Sequence, residues 1–245
     1  MRQTILDILN LSKTSRMSDV DREAPKPPLF STYEGERIAL PDVNTLSPPT
    51  TTLHEALLNR RSHRKFSNTP LTLEDLSYAL YMTQGVKKVV DTRATFRTVP
   101  SAGARHAFET YVLVNQVENL SEGLYVYDAK HHALILKDQD PNLKETFLVA
   151  CLNQKMVIQA AVSFFWVADV ARMGARYVER SARYLCFDAG HIGQNLYLVA
   201  EALNAGTCAI GAFDDDLLNA ALKLDTSQQI TLYAAPLGKL DVKDD

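Results

Sequence analysis

The sequence predicts an α+β fold, and three observations carry that expectation. Helical and strand patterns alternate from Thr52 onward, two β-type runs flank a short polar segment, and one long helix carries a sustained apolar seam. Strands are expected toward both ends of the chain. Before Thr52 the composition changes: residues 18–50 are polar and proline-rich, with Pro25, Pro27, Pro28, Pro41, Pro48 and Pro49. Proline pushes the residue before it toward extended conformations. Residues 1–50 are therefore expected to form an extended, partly mobile arm, and residues 51–245 the folded domain.

Taken in order, the elements have local signals. A short amphipathic helix is expected over residues 53–59. Thr72 with Asp75 three residues later is a variant N-terminal cap for a helix over 73–82, in which Leu73, Leu76 and Leu80 share one face and which Gly85 closes. Residues 111–115 read as a strand, and 124–127 with 133–136 read as a β-hairpin around the polar segment 128–132. Asp140-Pro141 offers a cap and a first-turn proline to a helix running to about Leu152. The aromatic and β-branched run 162–167 then reads as a buried strand. A helix beginning near Tyr177 is expected to reach Ala205, with Gly206 as its stop. Asp214 caps another through Leu222, and 230–234 makes the last strand.

On the long helix, Leu185, Ala189, Ile192, Leu196, Val199 and Leu203 recur at steps of four and three, a seam suited to packing against another helix. Beside it Tyr184, Asp188, His191 and Asn195 form a second stripe. Periodicity alone fits a solvated face as well as one turned toward a ligand or a partner chain.

Residues 59–66, Asn-Arg-Arg-Ser-His-Arg-Lys-Phe, crowd cations around one hydroxyl. Guanidinium groups present fixed forks of N–H donors that match phosphate oxygens in pairs, and Ser62 adds a donor on a shorter tether. Arg60 and Arg61 equally fit the end of the preceding helix, where the helix dipole favours cations. The stretch Arg97-Thr98-Val99-Pro100-Ser101-Ala102-Gly103-Ala104 is built of small and turn-forming residues that let a backbone pass close to a flat ligand. Gly206-Thr207-Cys208-Ala209-Ile210-Gly211-Ala212-Phe213 repeats that pattern after the long helix. Each of these stretches alone also fits an ordinary loop.

Composition narrows the class. A chain of 245 residues with 46% hydrophobic content can bury a large core, in one domain or two small ones. Its net charge of −3 argues against a general nucleic-acid or anionic-membrane binder. Cys151, Cys186 and Cys208 are too scattered for a disulfide framework or a zinc cluster; they are expected in the core of a protein kept in a reducing compartment. Asp7 interrupts the first apolar run, no small-residue cleavage site follows, and the apolar run at 160–168 is about half the length of a bilayer-spanning helix. A cytoplasmic location without membrane contact is expected. His54-Glu55-Ala56-Leu57-Leu58 lacks the second histidine of a zinc-protease helix, so no metal site is expected. His131 and His132, in the polar turn, are expected in solvent. There is no G-x-G-x-x-G, no G-x-x-x-x-G-K-[ST] and no G-x-S-x-G.

In this order, with Gly190-His191-Ile192-Gly193-Gln194-Asn195-Leu196 between them, the segments resemble the nitroreductase-like flavoprotein family, and more narrowly its SagB/ThcOx-type dehydrogenase branch, over about residues 50–240. The resemblance implies a nitroreductase-like fold: a central, mainly antiparallel sheet flanked by helices, with extended arms exchanged in a homodimer that holds flavin mononucleotide (FMN) in interface clefts. It assigns Arg60, Arg61, Ser62 and Arg64 to the phosphate and ribityl chain. Pro100, Ser101, Ala102 and Gly103 fall in the segment that lies along the ring, contributed by the other subunit. Ala209, Ile210 and Gly211 match the loop facing the pyrimidine and N5 edge. Gln194 is assigned to the same cofactor site, and Lys239 to a late basic position near the phosphate.

The resemblance also places a Lys-Tyr pair before the long helix in azoline-oxidising members, and here Arg183-Tyr184 stands there as the candidate catalytic pair. Tyrosine can act as a general acid or base, whereas arginine is not deprotonated at ordinary pH. Tyr184 fits equally a structural hydroxyl at a cleft wall. Three functions stay open: an FMN-dependent oxidoreductase of nitro or quinone type using NADH or NADPH, a dehydrogenase oxidising thiazoline or oxazoline in peptides, and a flavin-binding or partner-binding protein without turnover.

Overall fold

A seven-stranded sheet in the order β1-β6-β5-β4-β7-β9-β8 frames the computed structural model, which describes residues 2–21, 23–47, 49–92 and 94–241. Its strands are β1 (Arg37–Ala39), β4 (Phe108–Val114), β5 (Gly123–Asp128), β6 (Ala133–Asp138), β7 (Val162–Asp169), β8 (Ala205–Thr207) and β9 (Gln229–Lys239), and every neighbouring pair is antiparallel. A separate hairpin joins β2 (Val86–Val90) to β3 (Ala94–Arg97). The α+β reading holds, and the sheet is antiparallel as the resemblance implied.

Strand β7 shows why residues 162–168 are apolar on both faces apart from Ser163, whose hydroxyl donates to the Val157 carbonyl. Phe164 and Trp166 face one core with Leu76, Leu80, Leu196 and Val199; Phe165 and Val167 face the other with Phe147 and Leu218. A strand covered on both faces has no solvated side on which to alternate. The first core lies under α3 (Leu73–Gln84) and α7 (Ser181–Ala202), the second under α4 (Leu143–Ala150) and α8 (Asp215–Ala221). Helix α2 (Leu53–Asn59) packs on α7.

Local signals located most helix starts. Thr52 and Thr72 both close capping boxes, with Glu55 and Asp75, and the Asp214 carboxylate accepts from the Leu217 N–H. Helix boundaries differ from expectation at α4 and α7. Helix α4 begins at Leu143 because the Asp140 side chain accepts from the Asn142 N–H and makes a turn ahead of the helix. Helix α7 begins at Ser181, not Tyr177, because α6 (Val170–Tyr177), capped by Asp169, takes the preceding residues and Val178 at φ 41 breaks the run. At its other end α7 stops at Ala202, and Gly206 lies in β8. A Cβ on Gly206 would stand 2.7 Å from His63 Cβ, so close approach requires that glycine. Between β4 and β7, α5 (Met156–Gln159) adds a short turn of helix.

The expected arm is not extended at its start: α1 (Arg2–Leu11) is helical, and a single 3-10 turn follows at Thr14–Arg16. Pro48, expected in the arm, lies outside the described residues. Further on, the arm is anchored by Glu109, which accepts from Ser31 Oγ at 2.9 Å and Tyr33 Oη at 2.6 Å and pairs with Arg172 at 2.6 Å. Burial alone would raise that carboxyl; Arg172 and Tyr33 hold it below the usual range. Two further expectations are corrected. His132 is half-buried, with Nδ1 2.8 Å from Tyr127 Oη and Nε2 2.8 Å from Ser77 Oγ, because its turn folds back on α3. Cys151 and Cys208 are buried, but Cys186 is exposed, one position past the apolar seam of α7. Among the described residues no helix is long and apolar enough to cross a membrane.

Candidate functional site

Arg60 caps the C-terminal end of α2, and the chain then runs extended beside β8: Ser62 pairs in parallel with Thr207, and the His63 N–H donates to the Thr207 carbonyl at 2.9 Å. Beyond β8, Ile210 exchanges hydrogen bonds of 2.7 and 3.1 Å with Ala234. These two strips place the arginine cluster next to residues 209–211 at one edge of the sheet. Arg61, Ser62 and Arg64 are exposed. No atom lies within 4 Å of where a Cβ on Gly211 would be, so the backbone there is open to a flat group.

Tyr197 on α7 joins the two strips. Its hydroxyl lies 2.9 Å from Ser62 Oγ and accepts from the Ala209 N–H at 3.0 Å, while the Arg60 guanidinium sits 5.2 Å over its ring. Tyr197 and Ala234 thus engage the Ala209 and Ile210 N–H groups. Gln194, one turn earlier on α7, is exposed.

The second expected segment lies elsewhere on the chain. Ser101 Oγ donates to Asp188 at 2.6 Å, the Ala102 N–H donates to the same carboxylate at 3.1 Å, and the His106 N–H donates to Ser101 Oγ at 2.9 Å. Gly103 (φ 57), Ala104 (φ 53) and His106 (φ 44) all adopt left-handed backbone, and a Cβ on Gly103 would stand 2.5 Å from Tyr177 Oη. Such conformations persist only where surroundings impose them. Burial raises the Asp188 carboxyl, and the donors from Ser101 and Ala102 partly oppose that. Asp188 and Tyr197 are nine positions apart on α7, roughly 13 Å at 1.5 Å per residue. One chain thus brings together the first and third expected segments and leaves Pro100, Ser101, Ala102 and Gly103 apart from them.

Arg183 and Arg180 hold the end of α1, and Tyr184 stands beside Arg180. Arg183 donates to the Leu9 carbonyl at 3.0 Å and to Ser12 Oγ at 3.1 Å; Arg180 donates to the Ser12 carbonyl at 2.9 Å and to Tyr184 Oη at 3.0 Å. Tyr184 packs edge-on to Tyr177. Lys239 is engaged too, donating to the Leu203 carbonyl at 2.9 Å and pairing with Asp75 at 3.0 Å, which ties the end of β9 to α3 and α7. Sequence reasoning passed over Tyr197 because it lies on neither stripe of the helix, and its partners are distant in sequence.

A family model described as the nitroreductase family matches residues 57–239. A nitroreductase-like protein of Methanocaldococcus jannaschii is 34% identical over 202 residues, 82% of this chain and 96% of that protein. The trifolitoxin-processing protein TfxB of Rhizobium leguminosarum bv. trifolii is 30% identical over 61% of this chain, which spans 41% of TfxB. Among solved structures, a nitroreductase-like protein of Ralstonia eutropha superposes with a TM-score of 0.69 at 25% identity, covering 92% of this chain and 99% of that one. A nitroreductase-like protein of Desulfovibrio desulfuricans, solved in complex with FMN, shares the fold with a TM-score of 0.54 at 18% identity over 78% of this chain and 88% of that one.

Proposed function

The chain belongs to the nitroreductase family, and from that premise we propose an FMN-dependent oxidoreductase that carries hydride between NADH or NADPH and a small quinone or nitro compound, acting as a homodimer. The observation that carries this reading is the meeting of the arginine cluster with the open strip at Gly211, bridged by Tyr197. The donor set fits the cofactor. Arg60, Arg61, Arg64 and Ser62 suit a phosphate monoester, and the flat backbone beside them suits a ring. The Desulfovibrio structure with FMN supports the same assignment.

When bound, FMN supplies hydride transfer through N5 of its ring. The chain's own part is to bind, orient and supply protons. The exposed guanidinium groups of Arg61 and Arg64 would hold and neutralise the phosphate, and the open backbone at Gly211 would leave room for the ring. Tyr184 Oη accepts from Arg180, so its own proton is free to be donated.

The likeness to TfxB, named for trifolitoxin processing, supports a second reading, action on a peptide, which the SagB/ThcOx resemblance narrows to azoline oxidation. That reaction needs a base to take a proton from carbon, and Arg183 cannot be one. Heat-denatured protein, reconstituted beforehand with excess FMN, is expected to release about one FMN per chain, and the holoprotein to reduce a quinone with NADH or NADPH. Absence of released FMN would end the cofactor reading, and efficient azoline turnover would exchange the first reading for the second.

A further inference from the structure

We propose that Tyr197 is the positioning residue that couples the two ends of the FMN site, through its hydroxyl rather than its ring; the inference rests on the FMN reading above. The Ala209 N–H donates to Tyr197 Oη at 3.0 Å, which leaves the phenol proton for Ser62 Oγ at 2.9 Å. Ser62 then turns its own proton outward. The result is a one-directional chain of donors, from Ala209 N–H through Tyr197 O–H and Ser62 O–H to an anion among Arg60, Arg61 and Arg64. Each bond in such a chain polarises the next, so a phosphate at its end strengthens the bond at its beginning. Reversed, the chain would present an oxygen lone pair to the phosphate; an anion selects the first direction.

The surroundings separate the hydroxyl's role from a general structural one. Ser62 and Thr207 pair through their backbones, and the His63 N–H bonds to the Thr207 carbonyl, so the two strips stay side by side without the phenol. The Arg60 guanidinium stacks on the ring, a contact that phenylalanine keeps. Tyr197→Phe therefore removes the relay and little else.

The test titrates apoprotein with FMN and with riboflavin, which lacks the phosphate, following flavin fluorescence in wild type, Tyr197→Phe, Ser62→Ala and the double variant. Tyr197→Phe is expected to weaken FMN about tenfold and to lower the preference for FMN over riboflavin about fivefold. Ser62→Ala should produce a similar loss on its own and less than about a twofold further loss in the Tyr197→Phe background, because both act through one chain. Apoprotein melting temperature should be the same in all four. Wild type that binds FMN beside a Tyr197→Phe protein with an unchanged preference, or losses that multiply independently, would overturn this inference alone. Wild type that binds no FMN overturns the cofactor reading and this inference with it. Should Tyr197→Phe not fold, Ser62→Ala with an unchanged preference overturns it equally.

Discussion

His106 is buried at the end of a strained loop, and burial, with the Arg97 charge beside it, pushes its imidazole down to about 3. In the unfolded chain it titrates near 6.5. The sign follows: in the fold it stays neutral while the unfolded chain takes up a proton, so stability present above pH 6.5 is lost progressively as pH falls toward 3. Denaturant midpoints at pH 7.5 and pH 5 should therefore differ more in wild type than in His106→Asn, which tolerates the left-handed backbone and does not titrate. An equal drop in both proteins removes His106 from the account. At this scale the sequence exposed what is local. The crowding of Arg60, Arg61, Ser62 and Arg64 is visible in a stretch of eight residues. Tyr197 is not legible in the sequence, and Asp188 only as one member of a helix stripe, because each acts on partners brought near only by the sheet and by α7.

Among the elements, α1 raises a separate question. Ile5, Leu6, Ile8, Leu9 and Leu11 are each about half exposed or more, and its C-terminal carbonyls are held by Arg180 and Arg183. Ser18 adds hydrogen bonds to Glu179. The helix is latched at one end. Arg183→Ala removes two bonds, a loss of about 1 kcal/mol for half-exposed groups, and should speed proteolytic cleavage within residues 2–18 roughly fivefold; Arg183→Lys should restore part of the protection. Equal cleavage of wild type and Arg183→Ala would mean that Arg183 does not hold the helix. Which elements could be read from sequence follows the range of their signals. The caps at Thr52, Thr72 and Asp214 and the β5-β6 hairpin are written within a few residues. The division of α6 from α7 is not, since Val178 takes φ 41 without being glycine or asparagine. Nor is β8, whose residues 205–207 are a strand because β9 pairs with them. The β2-β3 hairpin hides its alternation behind Lys87 and Lys88.

In the whole molecule, the antiparallel sheet flanked by helices agrees with the resemblance, while one chain brings together only the first and third of the segments proposed for the cofactor. Leu53, Leu57 and Leu58 on α2 and Phe187 on α7 are exposed at 54% or more, apart from Phe187 at 53%, which suits helices that meet a second copy. If Pro100–Gly103 of one chain completes the site of the other, a mixing experiment reads it directly. Arg61→Ala/Arg64→Ala damages the phosphate end, and Asp188→Ala frees the loop that Ser101 and Ala102 tie to it. Each homodimer should bind FMN poorly. In a heterodimer with shared sites, one site carries both defects and the other carries none, so mixed and re-equilibrated chains should recover tight binding at roughly a quarter of all sites. Were each site built within one chain, every site in the mixture would keep one defect and nothing would be recovered. Light scattering on the same samples fixes the premise: a stable monomer loaded with FMN would exclude the shared site, and a dimer whose melting temperature rises with FMN concentration is the outcome that mass action requires.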